Sequence, residues 1–78
     1  MRIVKDQYGI LYRIRIYREE RLPYWYCEQQ RKAGSLQWEP YEHSLAFAEK
    51  GECIEYANKK LDEIEEKRKD FENENNYV

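Results

Sequence analysis

Between Glu52 and Phe71 the apolar residues fall at Ile54, Ala57, Leu61, Ile64 and Phe71. This three-and-four spacing lines one side of an α-helix, and only Arg68 interrupts it. Glu55 to Lys59, Glu63 to Lys67 and Glu65 to Lys69 each set the acid four residues before the base, worth ~0.2 to 0.5 kcal/mol a pair. Such pairs do not hold a helix alone. A helix of roughly 30 Å at about 1.5 Å per residue needs a second layer for its stripe, and the residues before it must supply that layer.

They read as strands. Ile10 to Arg18 alternates apolar and polar with period two, so Ile10, Tyr12, Ile14 and Ile16 are expected on a core face. Ile3 and Val4 precede Asp6-Gln7-Tyr8-Gly9, a connection whose glycine suits a left-handed position, and form the first arm of a hairpin. Pro23 to Arg31 gives the next strand. A four-residue loop would pair Ile16 with Trp25 and Ile14 with Cys27 on the core face, and on the other face Tyr17 with Tyr24, Arg15 with Tyr26 and Arg13 with Glu28. A slip of one residue would bring Glu28 to the buried side, which sets the faces. After a turn at Lys32 to Ser35, pairing Arg31 with Leu36 would add Leu36 and Trp38 to the core, and Pro40 ends the strand.

The expected fold is therefore α+β: a four-stranded antiparallel meander (ββββα) with one long C-terminal helix on one face of the sheet. Residues 1–71 form one domain and 72–78 a flexible acidic tail. Residues 41–51 leave two readings open, a helical turn capped by Ser44 or an extended crossover, with the main helix beginning between Glu49 and Glu52 and Phe47 anchoring its approach. Seventy-eight residues make one small domain that buries only about 60% of its unfolded-chain surface.

The chain carries 38% charged and 15% aromatic residues, enough aromatic volume to build a core. It shows no secretory start and no apolar run of membrane length, so a cytoplasmic, membrane-free protein is expected, with Cys27 and Cys53 as reduced core thiols rather than a disulfide. Net charge is −2, but Met1 to Trp38 holds eight basic against four acidic residues, and Glu39 to Val78 six against twelve. The charges are two-sided in sequence.

Catalytic chemistry finds little support. His43 beside Ser44 has no third group to orient the imidazole. Cys27, His43 and Cys53 lack the close cysteine pairs of a zinc signature. The three glycines fall at turns or the helix start, which leaves no phosphate-cradling loop. The expectation is a non-enzymatic protein with no catalytic residues, cofactor or metal.

What remains is the sheet's outer face, with Arg13, Arg15, Tyr17, Tyr24, Tyr26 and Tyr41, residue types enriched at binding hot spots. The leading expectation is a binding protein that modulates or inhibits a protein partner, its acidic helix (Asp62, Glu63, Glu66 and Asp70) docking on a basic partner while the tyrosine face forms a homodimer. In compactness and charge the chain resembles, in style, the accessory proteins of phages and mobile elements. The alternative is a nucleic-acid-binding module, its outer aromatics stacking on bases while Arg13, Arg15, Arg18 and Arg21 track phosphates. Phe47-x-x-x-x-Glu52-Cys53-x-x-Tyr56-Ala57 after a meander resembles the arm-binding domains of some integrases, which implies nucleic-acid binding. The strands here carry a lighter basic load, and a pI near 5.5 departs from the basic footprint of such proteins.

Overall fold

The computed structural model describes residues 1–75. Five strands, β1 (Val4–Lys5), β2 (Leu11–Arg18), β3 (Trp25–Lys32), β4 (Glu39–Pro40) and β5 (Leu45–Phe47), precede one helix, α1 (Lys50–Asn75). The sheet is antiparallel in the order β1-β2-β3-β4, and β5 pairs with β3 as well. The expected α+β architecture is the observed one, with a fifth strand in addition. Within residues 41–51 no helical turn forms at Ser44; the chain bends at Glu42, returns to β3 as β5 over Leu45–Phe47, and α1 begins at Lys50. The helix continues past Phe71 to Asn75, so residues 72–75 are helical. For the remainder of the expected flexible tail, residues 76–78 lie outside the described residues.

The first turn is held by Asp6, whose Oδ1 accepts from the amides of Tyr8 (2.8 Å) and Ile10 (3.0 Å). Gly9 takes φ +82° there, where a side chain would be strained. The connection between β2 and β3 is six residues long, not four. Ile16 therefore opposes Cys27, Tyr17 opposes Tyr26 and Arg15 opposes Glu28, two residues from the expected register. An even slip keeps every side chain on its face, so Cys27 still points to the core and Glu28 outward. The observed register gains an Arg15–Glu28 ion pair at 3.2 Å and a Tyr17–Tyr26 stack at 5.4 Å. Its cost is Gln29, which opposes Ile14 on the buried face at 6% exposure. Its side-chain amide nitrogen donates at 3.3 Å to Glu42, a residue held at φ +60°.

The return after β3 corrects a second expectation. Arg31 pairs with Glu39, not Leu36, an odd slip of three that exchanges the faces. Leu36 lies 67% exposed in the turn, and Trp38 passes to the outer face, under the Arg13 guanidinium at 4.2 Å. Arg31 and Glu39 form an ion pair at 3.1 Å, which the expected pairing would not allow.

The core is Val4, Ile14, Cys27, Cys53, Ala57 and Leu61, with Tyr12, Ile16, Trp25, Phe47, Tyr56 and Ile64 packed around it. The helix thus meets the sheet along Cys53, Ala57, Leu61 and Ile64, the expected stripe with Cys53 in the place of Ile54. Ile54 stands at the flank, 40% exposed, and Phe71 is equally exposed. Small side chains at 53 and 57 let the helix backbone approach the sheet where Ile54 would hold it off. Arg2 ties the chain start to the helix, donating to Asp62 (2.6 Å) and Glu65 (2.8 Å), and these carboxylates raise its pKa. At about 1.5 Å per residue α1 spans roughly 39 Å, against roughly 27 Å for an eight-residue strand. Residues 69–74 are all exposed, beyond the sheet.

Cys27 and Cys53 are free, fully buried and neighbours in the core. Burial, then the neighbouring Cys53, pushes the Cys27 thiol up to about 12, and burial raises Cys53 too. Burial and a hydrogen bond to Asp6 (2.9 Å) push the Tyr12 phenol up to about 12. These groups keep their protons in the fold at pH values where the unfolded chain loses them, so stability falls as pH rises. We expect a melting temperature that declines from about pH 9 toward 12, and a shallower decline in Tyr12→Phe, measured by circular dichroism. Equal slopes would show that Tyr12 contributes nothing to alkaline unfolding.

Candidate functional site

The helix covers one face of the sheet and leaves the other open. Because β2 and β3 run side by side for eight residues, their outward side chains form rows. From one end these are Lys5, Leu11 and Lys32; Arg13 and Gln30; Arg15 and Glu28; and Tyr17 and Tyr26. Four cations share this face with one acid.

The arginines are held, not loose. Arg13 Nε donates to Gln30 Oε1 at 2.7 Å while its guanidinium lies over the Trp38 ring. Arg15 pairs through Nε with Glu28 and lies 4.4 Å above the Tyr17 ring, which in turn stacks on Tyr26 with 23° between planes. Each guanidinium is thus fixed by one β3 side chain and one ring. Among the described residues the terminal nitrogens of both have no protein acceptor, so each presents a fork suited to a carboxylate or phosphate. These contacts take up one face of the Trp38 ring, one of Tyr26 and those by which Tyr17 meets Arg15 and Tyr26.

The expected site residues fall into two groups that the fold keeps apart. Arg13, Arg15, Tyr17 and Tyr26 are together on the outer face. Tyr24 lies in the loop before β3, exposed. Tyr41 is not on this face: its ring meets Tyr12 edge-on at 5.5 Å and lies beneath Arg31 at 5.0 Å, on the helix side. The odd slip after β3 carries it there, and its amide donates to the Gln29 carbonyl at 2.8 Å. Arg18 likewise sits on the helix side, over Trp25 at 5.5 Å, and Arg21 is exposed in the loop. Asp62, Glu63, Glu66 and Asp70 are exposed on the helix, on the opposite side of the molecule from the arginines. Asp62 is already paired with Arg2. His43 is exposed, away from the buried thiols, and among the described residues no three His, Cys, Asp or Glu side chains gather as a metal site.

Sequence reasoning missed Trp38, Gln30, Lys5 and Lys32. The two lysines were legible, since Lys5 follows inward-facing Val4 and Lys32 shares parity with Glu28. Trp38 was not, because its face depends on the turn length. Among the described residues no helix is long and apolar enough to cross a membrane. No family model, curated protein or solved structure matches the chain.

Proposed function

We propose that this chain is a small non-enzymatic binding protein that acts by docking on a macromolecular partner, and that the outer face of its sheet is the docking surface. The observation that carries this reading is the pair of fixed guanidinium forks at Arg13 and Arg15, flanked by Lys5 and Lys32 on an uncovered face. Fixed forks bind oxyanions with less entropy to lose.

Of the two partner classes, nucleic acid fits this face better than protein. Protein interfaces are depleted of charge at their centre and use apolar anchors, whereas nucleic-acid interfaces are more polar and strongly positive. The occupied ring faces favour phosphate contacts over stacking on unpaired bases, and a two-stranded ribbon of this kind enters a major groove. The test is fluorescence anisotropy with a labelled DNA duplex and a single strand of equal length, titrated at several salt concentrations. With four cations engaged, log K should fall against log salt with a slope of about −3 to −4. The double variant Arg13→Ala, Arg15→Ala should reduce that slope by about 2. Absence of binding at the lowest salt removes nucleic acid from consideration.

An acidic protein is the second reading, supported by the Tyr17–Tyr26 stack on the outer face and by the exposed Tyr24 in the loop before β3. In that case the protein modulates its partner, as an inhibitor or accessory subunit does, with the same arginines meeting carboxylates.

A further inference from the structure

β2 has a bare edge. β1 pairs with only Tyr12 and Leu11, and Arg2 turns the preceding residues away toward Asp62 and Glu65 on the helix. Among the described residues no strand covers the edge from Arg13 to Arg18. An uncovered edge offers unpaired N–H and C=O groups to another strand. Beside it, between β2 and α1, runs a mainly apolar groove of about 260 Å³, lined by Met1, Ile14, Ile16, Ile54, Ala57 and Leu61 together with the polar Arg2 and Asn58. Ile54 and Met1 are exposed there. An open ladder edge and an apolar groove therefore lie side by side.

We infer that this edge takes a second copy of the chain, β2 pairing antiparallel with β2 about a two-fold axis through Ile16. The sequence of the edge is self-complementary in that register and poorer in its neighbours. Centred on Ile16, the pairing sets Arg15 opposite Tyr17 on the outer face, and brings Glu19, the first residue after β2, level with Arg13, each twice by symmetry. On the inner face it sets Ile16 against Ile16, with Arg18, whose guanidinium lies over Trp25, opposite Ile14. Moving the axis one way to Arg15 opposes like charges, and moving it the other way to Tyr17 brings Glu20 against Ile14 on the apolar side. The Arg15–Tyr17 pairing across copies repeats a contact these residues already make within one chain at 4.4 Å.

With the axis perpendicular to the sheet, both helices lie on one side and Ile54 of each copy faces the shared groove. Both outer faces lie on the other side as one continuous surface. A two-fold contact through the outer faces themselves, as the sequence suggests, would instead press together two faces that each carry four cations against a single acid, Glu28, which is already paired with Arg15. The edge dimer stands whatever the outer face binds.

The test is sedimentation equilibrium of the full chain in reducing buffer at micromolar concentration. A dimer is expected. Glu19→Arg, in an exposed loop, should raise its dissociation constant roughly tenfold, from two lost cross-strand pairs, and combination with Arg13→Glu should restore it. Ile54→Lys, an exposed helix position, should yield monomer with an unchanged far-ultraviolet spectrum. A wild-type monomer even at roughly 100 μM overturns the inference and leaves the edge for another chain. A dimer that survives Glu19→Arg and Ile54→Lys but dissociates in Tyr26→Glu overturns it in favour of the outer face. Failure of the charge swap to restore association overturns the register.

Discussion

Truncating Leu61 to alanine should lower the unfolding free energy by ~2 to 5 kcal/mol, while Lys60→Ala leaves it nearly unchanged. Leu61 is 3% exposed and sits where the helix crosses β1 and β2, beside Ala57 and above Ile14. Removing its branched end opens a cavity that rigid strands on one side and a helix on the other cannot close. Domains of this size have only a few kcal/mol to lose, so the variant should melt far below the parent or be unfolded at room temperature. Ile54→Ala provides the internal comparison. In the monomer, at 40% exposure, it should cost clearly less than Leu61→Ala. Urea unfolding followed by circular dichroism reads all three, and equal midpoints for Leu61→Ala and Lys60→Ala would show that the helix does not pack through Leu61.

Enlarging Ala57 to leucine should be destabilising as well, by ~1 to 3 kcal/mol. This direction runs against propensity, because leucine and alanine are both good helix formers, so any loss comes from packing. Ala57 is buried between Cys53 and Leu61 over the sheet, and three added carbons must push the helix outward or distort the strands beneath. Leucine at Lys59, exposed two positions along the helix, should be tolerated. A neutral or stabilising Ala57→Leu would mean that the close approach of helix and sheet at this point is not tight.

The sequence carried the faces of the sheet better than its pairings. Alternation in Ile10 to Arg18 and again in Trp25 to Arg31 marks which side chains point inward, because a reversed face would bury Arg13, Arg15 or Glu28. Sliding β3 by two residues along β2 leaves that pattern intact, so alternation could not choose between Cys27 opposite Ile14 and Cys27 opposite Ile16. The choice falls to the Arg15–Glu28 pair and the Tyr17–Tyr26 stack, with Glu42 left to satisfy Gln29. Turn length was the least legible quantity. One misjudged turn placed Leu36 and Trp38 in the core and Tyr41 on the outer face, all three on the wrong side. On the helix the three-and-four spacing correctly marked Ala57, Leu61 and Ile64. It missed Cys53, whose small thiol marks closeness to the sheet better than it marks hydrophobicity. The arginines of the candidate site were readable as outward-facing, but the ring and amide that fix each of them depend on register.

The order of the elements along the chain sets a timetable for folding. β2 and β3 adjoin in sequence and can pair early, but their inner face has nothing to pack on until Cys53, Ala57 and Leu61 have been added. Arg2 must wait longer, since its partners Asp62 and Glu65 lie 60 and 63 residues downstream. During synthesis at about 5 to 20 residues per second, the hairpin therefore spends seconds with Ile14, Ile16 and Trp25 bare. The cations and tyrosines of its other face keep that nascent ribbon hydrated on one side while it waits for the helix to close the other.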